Sequence, residues 1–127
     1  MIEIVLAYKD EENQKAIPTV WRSTIGAIVE AIKTDDFELL NGVAKVVAVS
    51  KQDGGRIKKN IEEYGCQLTS LPHATWETSV CQWVGSYWDA LIDLFTVEEG
   101  LSDLALSVRV YEKNQDFEFE IMSVHVS

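Results

Sequence analysis

From Trp88 to Val126 the sequence alternates in a way that leaves few folds open. The run YWDALIDLFTVEEG is followed by LSDLALSVRVYEKNQDFEFEIMSVHV, two polar turns separating three apolar-rich stretches. Strict alternation marks strands with one buried and one open face. The turn Glu98-Glu99-Gly100 reads as a three-residue loop with glycine in the left-handed position, which pairs Val97 with Leu101. Leu94 then faces Leu104, Ile92 faces Leu106, Ala90 faces Val108 and Trp88 faces Val110. A second loop over Lys113–Asp116 pairs Glu112 with Phe117, so Val110 faces Phe119 and Val108 faces Ile121. Both hairpins therefore put apolar opposite apolar on one side, as a half-buried sheet requires. The alternation slips after Ile121, where Met122, Val124 and Val126 take over, and this predicts a bulge near Met122-Ser123.

The opposite face collects the acids. Asp89 lies beside Arg109, and Arg109 beside Glu120; Asp93, Asp103 and Glu118 share that side with Tyr87, Leu91, Phe95 and Tyr111. Acids are depleted in strands, so their presence here asks for a reason other than folding. A solvated sheet surface is the plain reading. Aromatics beside unpaired charge point instead to an interface. The candidate partner-binding set is Asp89, Asp93, Glu98, Glu99, Asp103, Tyr111, Glu118 and Glu120.

The charge balance supports that set. Residues 1–59 hold nine acids and nine bases, whereas residues 60–127 hold twelve acids and two bases, so the C-terminal half carries the whole net charge of −10. Such a surface repels phosphate, which argues against nucleic acid or an anionic membrane as partner and favours a basic one. The length, 127 residues, suits one domain with a real core.

Before the meander the periodicity is helical. Ile17, Val20, Trp21, Ile25, Ile28, Val29 and Ile32 recur at helical spacing and predict a helix over about 18–34, with Pro18 in its first turn. The segment 2–8 reads as a strand or an earlier helical piece. Thr34-Asp35-Asp36 ends the helix and can cap a short second one over 36–41, which Gly42 stops. Residues 43–50, rich in β-branched side chains, read as a strand or extended segment, and 53–64 as a helix with Asp53 as N-cap and Gly65 as its left-handed end. TWETSVCQWV, 75–84, is predicted as a strand after the break at Leu71-Pro72-His73. Helices followed by an antiparallel meander give an α+β fold, with the N-terminal helices packed on one face of the sheet.

The search for chemistry returns little. Glu98-Glu99 sit in a wet turn. Asp89 and Asp93 are too far apart to share a proton. His73 and Glu77 straddle a chain break, which disfavours metal ligation. Asp53-Gly54-Gly55-Arg56 puts glycines and bases at a helix start, where a phosphate can sit, but no nucleotide-binding pattern surrounds it. Cys66 and Cys81 form no CxxC pair and read as free thiols. No catalytic residue, metal or cofactor is expected. The N-terminus has no basic region ahead of its apolar run and no apolar stretch approaches a membrane span, so a cytoplasmic location is expected.

Two resemblances add to this. TWETSVCQW…YWDALIDLFTVEEGLSDLAL with the C-terminal VHV, over residues 57–127, looks like a small uncharacterised bacterial domain with an E-E-G-x-S-D-L hairpin, a signature that carries no catalytic residue. In size and acidity the whole chain resembles the immunity proteins of bacterial contact-dependent growth inhibition and related polymorphic-toxin systems. That resemblance implies a binding protein that blocks one basic toxin domain, of nuclease type, in a 1:1 complex. The alternative is a small-ligand domain. Helices on a curved sheet are similar to the cone-shaped folds of nuclear transport factor 2 and cystatin-like proteins, which enclose an apolar pocket; here Trp21, Trp83 and Trp88 would line it.

Overall fold

The computed structural model describes residues 3–127, and it has the α+β architecture expected from the sequence. Its elements are β1 (Lys15–Ala16), α1 (Thr19–Lys33), α2 (Lys51–Tyr64), a 3-10 turn (His73–Glu77), β2 (Val80–Trp83), β3 (Trp88–Thr96), β4 (Gly100–Lys113) and β5 (Asp116–Val126). The five strands form one antiparallel sheet in the order β1-β2-β3-β4-β5.

The register beneath the core is the one the apolar alternation dictates. Trp88 pairs with Val110, Ala90 with Val108 and Ile92 with Leu106; Val110 pairs with Phe119 and Val108 with Ile121. These side chains are all buried and form the floor of the core. The predicted bulge is present. Ser107 pairs with Ser123 and Val108 with Ile121, so Met122 is the extra residue. The bulge lets Val124 resume the buried side after Ile121 without breaking the ladder.

The first hairpin closes differently from expectation. Thr96 pairs with Gly100 and Phe95 with Leu101, rather than Val97 with Leu101. The loop is Val97-Glu98-Glu99, and the offset of two residues is absorbed where the register shifts between Asp93 and Phe95. There the Ser102 hydroxyl donates to the Leu94 carbonyl and accepts from the Leu104 N–H, replacing ladder bonds. An offset of two leaves every side chain on its face, so the pattern could not reveal it. In the second hairpin Lys113 pairs with Asp116, leaving Asn114 and Gln115 both at positive φ (50° and 64°), the backbone of a type I′ turn.

α1 seals the core face. Trp21, Ile25, Ile28, Val29 and Ile32 form its buried stripe. Trp21 meets Trp88, Phe117 and Phe119 edge-on at centroid distances of 5.4, 5.6 and 6.4 Å. α2 adds Ile57 and Ile61. Its cap is Ser50, not Asp53: the Ser50 hydroxyl accepts from the Asp53 N–H, with the acid in the first turn, where the helix dipole favours it. Gly65 ends the helix in the left-handed region at φ 77°, as expected.

The short helix expected over 36–41 is a run of turns. Asp36 does accept from the Leu40 and Asn41 N–H groups, but Leu39 adopts φ 54°, which a right-handed helix cannot include. Leu39 thereby reaches the core, where it is 5% exposed. The extended segment expected over 43–50 instead opens with a turn, in which the Val46 N–H donates to the Val43 carbonyl and Lys45 adopts φ 70°; Val46 then makes one parallel bridge with Phe119. Of the segment 2–8, Ile2 lies outside the described residues, and the remainder has no regular structure. It is pinned at Val5, which exchanges bonds with Thr19, and at Tyr8, whose carbonyl accepts from the Trp88 indole.

TWETSVCQWV is a strand only over Val80–Trp83. Thr75 donates its hydroxyl to the Asp93 carbonyl, and the Ser79 hydroxyl accepts from the Asp93 N–H. Side-chain hydroxyls therefore satisfy β3 where a longer β2 would have done so, and the preceding residues curl into the 3-10 turn.

The adjacent glycines of α2 offer a check on this packing. A Cβ on Gly55 meets open space, so Gly55→Ala should stabilise by about 1 kcal/mol through helix propensity. A Cβ on Gly54 falls 2.9 Å from Glu38 Cγ and 3.2 Å from the Phe37 carbonyl oxygen. Gly54→Ala should therefore lose about 1 kcal/mol or more once that turn is forced to move. Chemical denaturation of the two variants measures the opposite signs.

Candidate functional site

The outer face of the sheet carries the alternate residues of the same strands. Across β2, β3, β4 and β5 one row reads Gln82, Asp89, Arg109 and Glu120, each paired with the next. Tyr111 pairs with Glu118 in the adjoining row. All of these are half-buried or exposed, whereas Trp88, Ala90, Val108, Val110, Phe119 and Ile121 beside them along the strands are buried on the helix side. The helices lie on the other side.

The centre of this face is a small aromatic and cationic cluster. The Arg109 guanidinium lies over the Tyr87 ring at 4.6 Å, and Tyr87 and Tyr111 approach to 5.5 Å between centroids. Tyr111 donates its hydroxyl to Glu120 at 3.0 Å. Burial, and then that carboxylate, hold the Tyr111 pKa above the ordinary tyrosine value. The neighbouring Tyr111 oxygen, more than any other group, raises the Arg109 pKa. Asp89 stands 3.9 Å from Arg109 Nε, an ion pair too long for a hydrogen bond, and that Nε has no other partner among the described residues. Glu118 is bound by Lys113 at 3.2 Å. These exposed pairs contribute little to stability individually. Their effect is to fix the positions of side chains that a wet surface would leave mobile.

The candidate set divides in two. Asp89, Asp93, Tyr111, Glu118 and Glu120 lie on the outer face, although Asp93 is partly claimed by the Thr78 hydroxyl. Glu98, Glu99 and Asp103 lie apart, at the far hairpin end, against the C-terminus of α2. Tyr64 donates to Glu99 and accepts from the Asp103 N–H, while Glu98 accepts from the Gln67 N–H. Asp103 falls in the stretch of β4 between Leu101 and Ala105 that has no partner on β3, beside Tyr64. Arg109 and Tyr87 were recognised on the face, but their stacking was not legible, because it depends on rotamers rather than on register.

Of the aromatics expected to line a pocket between helices and sheet, Trp88 borders a cavity of about 560 Å³ together with Tyr8, Val20 and Phe117, and Trp21 is packed inside the core. Trp21 and Trp88 are 0% and 2% exposed. Trp83 shares the core side, stacked edge-on against Trp88 at 4.6 Å and covered by Lys9. Trp76 is not part of the strand expected over 75–84; it lies on the 3-10 turn, under Arg22.

Both cysteines are free, as expected. Burial pushes the Cys81 thiol up to about 11. Cys66 is raised by burial first, then by Glu98 and Glu99. Under native conditions Cys66 should react slowly with a thiol reagent and Cys81 only on unfolding. Neutralising Glu98 and Glu99 with glutamine should speed Cys66 without exposing Cys81, as read by a timed thiol titration.

Among known proteins, the profile of a family described as a domain of unknown function, DUF7668, matches residues 29–127. The chain belongs to the DUF7668 family. The DUF7668 match begins within α1 and spans α2 and strands β2–β5, so it includes every residue of the outer-face cluster. No curated protein and no solved structure matches the chain. No helix among the described residues of this DUF7668 protein is long and apolar enough to cross a membrane.

Proposed function

We propose that this chain is a non-catalytic binding protein acting in the cytoplasm, an immunity protein that neutralises a cognate basic toxin domain through its acidic sheet face. The observation that carries the reading is the cluster of Tyr87, Arg109 and Tyr111 on the uncovered side of the sheet, bordered by Asp89, Glu118 and Glu120. Tyrosine and arginine are the residue types that dominate binding energy at protein interfaces, and here they are already held in place. The acids around them would steer a cationic partner and compete for the ground where a nuclease holds phosphate. The net charge of −10, all of it from residues 60–127, adds long-range attraction.

The test is the polypeptide encoded beside this chain's gene. Its C-terminal domain, produced alone, should arrest growth; co-production of this protein should restore growth, and the purified pair should migrate as a 1:1 complex. Failure of the neighbouring product to bind or to be neutralised would remove the proposal.

A further inference from the structure

Away from the sheet face, a cleft of about 760 Å³ lies between the N-terminal segment, the first turns of α1 and the 3-10 turn. Its walls include Arg22 of α1, and His73, Trp76 and Glu77 of the turn, with Glu3 and Val5 along one side. Its volume is within the range of small-molecule sites.

The arginine is unusual for this chain. Nine of the eleven lysine and arginine side chains have a carboxylate within 4.0 Å. The two that do not, among the described residues, are Lys51, which is exposed, and Arg22, which is half-buried. In a protein with 21 acids, a sheltered guanidinium without a counter-ion is conspicuous. It is also immobilised. Arg22 donates from Nε and Nη2 to the Ile17 carbonyl at 3.1 and 2.9 Å, and its plane lies over Trp76 at 5.4 Å. Those bonds use two of the five guanidinium N–H donors and leave the others free. Glu77, on the facing turn, likewise has no cation within 4.0 Å. The cleft thus presents one fixed guanidinium without a counter-ion, the carboxylates of Glu77 and Glu3, and the Trp76 ring.

We propose that this cleft binds a small zwitterion of the free amino-acid type, its carboxylate on Arg22, its ammonium group on Glu77 and its apolar body against Trp76. A simple anion would use Arg22 but would face Glu77 and Glu3 unpaired; a simple cation would meet Arg22. Only a ligand bearing both charges satisfies both walls. The pre-oriented guanidinium fork suits a carboxylate better than a lysine would. The site is independent of the acidic sheet face.

The experiment titrates the full-length, isotope-labelled protein with each of the twenty standard amino acids at millimolar concentration. It follows the Trp76 indole and Arg22 Nε–H resonances. At least one amino acid should shift both saturably. Its N-acetylated form and its decarboxylated amine should each bind at least about tenfold more weakly. Arg22→Lys, which keeps the charge and loses the fork, and Glu77→Gln, on the exposed turn, should each weaken binding about tenfold while the other resonances stay in place. Should Arg22→Lys disturb the fold through its bond to Ile17, the Glu77→Gln titration still decides. No saturable shift with any amino acid, or equal binding of the N-acetylated form, would overturn the proposal.

Discussion

Replacing Trp21 with alanine should cost about 3–5 kcal/mol and lower the midpoint of thermal unfolding by roughly 10–20 °C. The side chain is fully buried and is the hub of the aromatic cluster, in edge contact with Trp88, Phe117 and Phe119. Alanine leaves a void bounded by residues from α1, β3 and β5, none of which can collapse without shifting a strand. A loss of that size removes a large part of the stability of an ordinary domain. Trp21→Phe should cost distinctly less. It keeps most of the apolar contact, and it deletes an indole N–H that is buried without a hydrogen-bond partner among the described residues. The desolvation of that group offsets part of what the larger ring contributes. The neighbouring Val20→Ala, on a side chain 67% exposed, should change stability by less than about 0.5 kcal/mol. Calorimetry of the three variants distinguishes a packed hub from a merely apolar position; a small Trp21→Ala effect would mean that the helix does not seal the sheet in this way.

The second large effect concerns association with a basic partner. Reversing Glu118 and Glu120 to lysine together should slow association about tenfold at low ionic strength, and the difference should shrink as salt is raised. Reversing Glu98 and Asp103, at the distant hairpin end, should change the rate only about twofold, through the general field alone. Tyr87→Ala should act mainly on dissociation, because it removes contact area and the platform under Arg109. Stopped-flow mixing at two salt concentrations separates these. A larger effect from Glu98 and Asp103 would move the interface to the end of α2, and no effect from either pair would rule out an acidic docking surface.

How far the sequence revealed this arrangement depends on what kind of information each element carries. The strand pairing across Trp88, Ala90 and Ile92 was legible because a period of two leaves only one set of faces that buries leucine, valine and isoleucine together. The Met122 bulge was legible for the same reason, since the apolar positions change phase there. The hairpin offset at Ser102-Asp103 was not, because a slip of two residues preserves every face. The 3-10 turn at His73–Glu77 was hidden behind strand-like composition. Thr75 reads as a β-former, yet its hydroxyl and that of Ser79 bond to the Asp93 backbone and stand in for a ladder. The Arg22–Trp76 stack joins residues 54 positions apart on elements with no shared periodicity, so nothing in the pattern could bring them together.

One feature of the sheet bears on how such a molecule can exist at high concentration. An open strand edge invites another chain to add to it. On one side β1 is only two residues long. On the other, the free side of β5 is occupied: the Phe119 N–H donates to the Lys45 carbonyl, the Phe119 carbonyl accepts from Val47, and Asn60 donates to the carbonyl of Val124. Neither margin offers a long template, so copies of the chain should resist fibril growth even though one broad side of the sheet stays bare. Association is thereby restricted to side-chain recognition across that bare side, where selectivity can be written residue by residue.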